Sequence, residues 1–167
     1  MTVTHNKKFS PFNNNIDMGL RALSILQFAY PKSFDLSKLV YFDYLIVHSG
    51  DFNSPFKSLH APVPNRKSEV YIRRALLEQG LLLFSKYGLV IPKFLTEGVF
   101  YLMSESGEPF LDSLGEEYTT MLKMRAEWAV ANYSDCSVEQ LKELVSNSTE
   151  SLNQEVAFDV EIIGIER

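Results

Sequence analysis

The stretch LSKLVYFDYLIVHSGD, residues 36–51, decides the fold. Leu36, Leu39, Val40, Ile46 and Val47 recur at helical spacing, and Tyr41, Phe42, Tyr44 and Leu45 fill the positions between them. A helix that is apolar over most of its circumference belongs inside a protein. The spacing therefore predicts a central, buried helix, capped by Ser33 or Asp35 and ended by Gly50. Asp43 interrupts the run, and the other long apolar runs are broken by charges too. None can span a bilayer.

Working outward, Asn13 to Asn15 offer caps for an earlier helix carrying Ile16, Leu20, Leu23 and Tyr30, which Pro31 stops. Residues 1–12 are polar without a period and read as a loose arm with no secretory h-region. Downstream, residues 49–66 hold Pro55, Pro62 and Pro64 and read as a long loop, more often functional than accidental. Ser68 can cap a third helix with Ile72, Leu76, Gln79 or Gly80, Leu83 and Tyr87 on one face, ended by Gly88. Leu89–Leu95 and Val99–Met103 flank Thr96-Glu97-Gly98 as a β-hairpin, with Pro92 placing the first strand at an edge. Ser104 or Ser106 begins a short helix reaching Leu114. A longer one, Glu116 to Tyr133, spaces Tyr118, Leu122, Ala126, Ala129 and Tyr133 for packing. Ser137 and Gln140 form a capping-box pattern that opens another helix, through about Val145. Val156, Phe158, Val160 and Ile162 lie on one face of a terminal strand. The expected fold is α+β and mainly helical. It has a winged-helix-like core of three helices plus a hairpin wing over residues 13–114. An acidic helical extension ending in the strand follows over 115–167.

The 167 residues are 46% hydrophobic and 13% aromatic, an ordinary globular composition. A single cysteine, Cys136, excludes an internal disulfide framework and a Cys-rich zinc site. The expected chain is soluble and cytoplasmic, so Asn132-Tyr-Ser and Asn147-Ser-Thr are not read as glycosylation sites. Charge is divided along the chain. Residues 1–104 carry a net +5 and residues 105–167 a net −10. Opposite faces of this kind set orientation and encounter rate in docking.

No phosphate-binding glycine loop, GxSxG, HExxH or CxxC pattern occurs. His48 and Asp51 with His60 offer too few ligands for a stable metal site, and His48 is read as capping the C-terminal end of the central helix. Cys136 has no local histidine base. Trp128 and Phe110 read as core or interface anchors. The expectation is a non-catalytic protein without cofactor or metal. Arg66, Lys67, Arg73 and Arg74 form the best anion-contact cluster, toward a protein partner or DNA. Alanine at both Arg73 and Arg74 is expected to weaken assembly or DNA association without unfolding the chain.

Residues 12–51, 58–90 and 100–114 together resemble the middle component of ABC-three-component systems, in particular the small subunit of Lamassu-type anti-phage defence. The resemblance covers roughly residues 10–146. It is most specific at Tyr41, Phe42, Asp43, Tyr44, His48, Ser49, Gly50 and Asp51, supported by His60, Arg73 and Arg74. It implies an accessory subunit set between an SMC/Rad50-like coiled-coil ATPase and an effector, often a nuclease, whose release it regulates. DNA contact would come through the complex. The central helix is expected to be half core and half interface. Two other readings stand beside this one: a free-standing winged-helix DNA-binding regulator, and an antitoxin-like binding protein.

Overall fold

The computed structural model describes residues 14–61 and 66–148, with only the backbone described for Arg66 and Lys67. The expected N-terminal arm and the expected strand at 156–163 lie outside the described residues.

Helix α1 spans Asn15–Ala29, and the Asn14 side chain accepts a hydrogen bond from the Asp17 N–H at 2.9 Å. After Pro31 a two-residue strand, β1 (Phe34–Asp35), leads directly into α2 (Leu36–Val47). Asp35 both ends the strand and caps the helix, accepting from the Lys38 N–H at 2.9 Å. Leu39, Phe42, Tyr44, Leu45, Ile46 and Val47 are all buried, so α2 is the core helix its composition demands. The expected interface half is reduced to a strip: of the aromatics of α2, Tyr41 alone is partly exposed and the others are buried.

A 3-10 turn (Ser49–Phe52) opens the connection to α3 (Arg66–Lys86), two residues earlier than Ser68. Helix α3 ends in a Schellman arrangement. Gly88 takes φ +72, its N–H bonds Ser85 O at 3.0 Å, and the Leu89 N–H bonds Phe84 O at 2.9 Å. Its buried face is Arg73, Leu77, Gly80, Leu81 and Phe84, one position on from the face expected, while Ile72 and Tyr87 are exposed. Two features turn the helix this way. Arg73 is drawn inward by an acid, and Gly80 sits against α1, where an added Cβ would lie 2.6 Å from Gly19 N.

Strands β2 (Val90–Leu95) and β3 (Gly98–Met103) form the hairpin, and β1 pairs antiparallel with β3. The sheet order is β1-β3-β2, which leaves Pro92 on an edge strand as expected. Phe34, Tyr101 and Pro92 share one face by register. Helices α4 (Gly107–Ser113), α5 (Glu117–Tyr133) and α6 (138–148) follow. Ser137 and Gln140 cap α6 reciprocally, at 2.8 and 3.2 Å. Leu122, Ala126, Ala129, Leu141 and Val145 join the core built by α1 to α3.

Candidate functional site

The apolar α2 carries one acid inward. Asp43 is fully buried, and an unpaired carboxylate there would be prohibitively costly. Two arginines meet it. From α1, Arg21, also fully buried, places Nε 2.6 Å from Oδ1 and Nη2 3.1 Å from Oδ2. From α3, Arg73 places Nη1 2.5 Å from Oδ2. Burial alone would raise Asp43, but the two guanidiniums and their hydrogen bonds hold it below the usual carboxylate range.

The cluster extends outward through Glu69. One turn before Arg73 on α3, Glu69 accepts from Arg73 Nη2 and lies 3.3 Å from His48 Nε2. Burial opposes its ionisation, yet the His48 hydrogen bond and the Arg73 charge bring Glu69 down to about 2. His48 sits at the C-terminal cap of α2, with its ring against Tyr44 at 4.6 Å. Three helices are thereby joined by charge at fixed positions. An arrangement like this fixes register more than it adds stability.

The motif residues after α2 fasten the long loop. Ser49 Oγ donates to Lys57 O at 3.1 Å, and Gly50 N–H to Ser58 Oγ at 3.1 Å. The Asp51 N–H bonds His48 O at 3.0 Å. The N–H groups of Leu59 and His60 both reach Val47 O. Arg125 of α5 clamps Lys57 O from Nε and Nη2, with its guanidinium over the Phe56 ring. His60 Nε2 lies 3.0 Å from the Tyr118 hydroxyl. Burial and the nearby Arg21 charge push His60 down to about 4, so it is neutral at physiological pH. Hydrogen bonds order the described part of this loop, which was expected to be structureless.

The expected surface cluster divides. Arg73 is 5% exposed and engaged with Asp43 and Glu69, so it is no surface contact here. Alanine at Arg73 removes one of two guanidiniums from a buried acid and thus acts on stability, contrary to expectation. Arg74 faces outward and donates to Ser37 Oγ at 2.8 Å. The side chains of Arg66 and Lys67 lie outside the described residues. Trp128 is half buried, edge-on to Tyr133, and Phe110 edge-on to Phe84. Cys136 is a half-buried free thiol. Among the described residues no three His, Cys, Asp or Glu side chains are grouped to hold a metal ion, and no helix is long and apolar enough to cross a membrane.

What the surface does present is apolar. The hairpin exposes Phe94 (79%), Leu95 and Ile91, and α3 exposes Tyr71 (81%), Ile72 and Leu82. Sequence reasoning placed Ile72 and Tyr87 on one face of α3 and read the hairpin as a wing, but it did not single out Phe94, Tyr71 or Leu82. It also missed Arg21 and β1. Asp43 inside an apolar helix was the signal for Arg21, since a buried acid demands a buried cation.

A charge-pinned helical core with a small three-stranded sheet and exposed apolar side chains makes a mainly helical α+β protein. The family model for the ABC-three component (ABC-3C) system Middle Component 2 matches residues 11–155, and the chain belongs to that family. No curated protein and no solved structure matches the chain significantly. The family is one component of a multi-component system, which fits an accessory role beside partner subunits.

Proposed function

We propose that the chain is a non-catalytic accessory subunit of a cytoplasmic, Lamassu-type anti-phage defence complex. It bridges an SMC-like coiled-coil ATPase and a nuclease-type effector and governs the effector's release. The observation that carries this reading is the exposed apolar surface on a rigid frame. Phe94, Leu95, Tyr71 and Leu82 are each more than half exposed, on a chain that belongs to a multi-component family. Large side chains left open in this way mark protein interfaces, and aromatic ones are favoured at interface centres.

The order α1, β1, α2, α3, β2, β3 and the sheet order β1-β3-β2 support a winged-helix-like unit over residues 13–114, with the hairpin as its wing. In such a unit α3 would present the outward face. That face carries Tyr71, Ile72, Arg74, Glu78, Gln79 and Leu82, one cation among apolar and polar side chains, which suits protein better than phosphate. Of the expected cation cluster, Arg66, Lys67 and Arg74 remain for an acidic partner or for DNA held by the complex.

The test is a pull-down of this chain from cells expressing its neighbouring genes, with mass-spectrometric identification of what is recovered. A coiled-coil ATPase together with an effector is the expected result. Recovery of the chain alone, with salt-sensitive duplex binding, would replace this reading by a free-standing DNA-binding regulator. Recovery of a small toxin would replace it by an antitoxin.

A further inference from the structure

A groove of about 260 Å³ runs between α2, α3 and the first turn of α6. Val40, Tyr41, Val70, Tyr71 and Val138 make it apolar, and Arg74 charges it. Among the described residues Arg74 has Ser37 Oγ as its hydrogen-bond acceptor and no carboxylate partner. An apolar trough beside an exposed, uncompensated guanidinium suits an extended segment that alternates apolar and acidic residues.

We propose that this groove binds such a segment and that its occupant is the chain's own residues 156–163. In extended form, Val156, Phe158, Val160 and Ile162 fall on one face and can enter the trough. Asp159 and Glu161 alternate with them, and the exposed Arg74, which lines the groove, is the cation they would meet. Charge agrees with this placement, because Glu150, Glu155, Asp159, Glu161 and Glu166 face a single Arg167 among residues 149–167.

Chain length agrees as well. Helix α6 starts at the groove with Val138 and is described to residue 148, a rise of about 16 Å. The seven residues 149–155 can span about 23–25 Å when extended. The chain can therefore turn back along α6 and bring Val156 to the groove. The family match stops at residue 155, so the occupant comes from outside the part that defines the family. The proposal concerns the isolated chain and covers Tyr71 and Arg74, which leaves the hairpin and Leu82 as the exposed apolar surface for the partner proposed above.

The test is hydrogen–deuterium exchange of the full chain, read by mass spectrometry, for the wild type, Arg74→Glu and Tyr71→Asp. Both substituted side chains are exposed, so the fold is unaffected. In the wild type, amides of residues 156–163 should exchange at least tenfold slower than in a free peptide of that sequence, at any protein concentration. Each variant should bring them within about twofold of the free rate. Combining Arg74→Glu with Asp159→Arg and Glu161→Arg should restore the protection. Free-peptide rates in the wild type overturn the proposal. So does protection that either single variant leaves intact, that fades on dilution as for a second copy, or that the charge reversal fails to restore.

Discussion

Replacing Asp43 by alanine should cost the protein about 3–5 kcal/mol. The figure follows from what is left behind. Arg73 keeps Glu69, but Arg21 is fully buried and loses both of its oxygens, at 2.6 and 3.1 Å. Its other described neighbours include the Met18 sulfur, the Tyr118 hydroxyl and the half-buried Asp17 carboxylate, whose charge acts on it without the paired geometry that Asp43 supplies. A buried guanidinium that loses its paired carboxylate is the expensive outcome of breaking a buried pair. Against a total stability of roughly 5–15 kcal/mol, the loss is a large fraction. Urea unfolding with linear extrapolation measures it directly. A thermal melt should drop by about 6–20 °C, at ~2–4 °C per kcal/mol for a chain of this size. Removing the cation too, as Arg21→Met with Asp43→Leu, should return the protein to within about 2 kcal/mol of wild type, since apolar replacement of a whole buried pair is near neutral. A loss below about 1 kcal/mol for Asp43→Ala would refute the reasoning, because Arg21 would then not depend on its pairing with Asp43.

Three further outcomes are expected. His60, held at about 4 against an ordinary 6.5, contributes stability that is complete above about pH 6.5 and is lost as pH falls toward 4. Glu69, held at about 2 against 4.5, contributes stability complete above about pH 4.5 and lost toward pH 2. Denaturation midpoints across pH should fall in those two windows, and His60→Gln should flatten the upper one alone; an unchanged upper window would contradict the assignment. Gly80→Ala places a Cβ 2.6 Å from Gly19 N and 3.0 Å from Asn15 O, backbone atoms that yield little. Overpacking of about 1–3 kcal/mol should match or outweigh a helix gain of about 1, for a net loss of roughly 0–2 kcal/mol in urea unfolding. A stabilised variant would mean that α1 and α3 are free to part. Phe94→Asp with Leu95→Asp, at exposed positions, should leave stability within about 0.5 kcal/mol and weaken partner binding at least tenfold by titration. Unchanged affinity would remove the hairpin from the interface.

Much of the fold was legible because local signals were strong. Asn14, Asp35 and the Ser137–Gln140 box sit where caps were expected, and Gly88 ends α3. Pro92 marked an edge strand correctly. Strand β1 was not legible, because two residues carry no period and exist as a strand only through pairing with β3. The rotation of α3 was hidden for a different reason. Periodicity counts apolar side chains, and the inward position is filled by Arg73, whose place depends on Asp43 thirty residues earlier. The same error displaced the candidate site. Two adjacent arginines look alike in sequence, yet about 100° of helix separates a buried ion pair from an exposed contact.

The central claim is that this chain joins two partners. It is tested most directly by purifying the ATPase from cells that express the ATPase and the effector, with and without this subunit, and measuring how much effector follows. The account predicts that the effector co-purifies with the ATPase only when the chain is present, and that Phe94→Asp with Leu95→Asp reduces the yield. Equal co-purification in its absence would contradict the account.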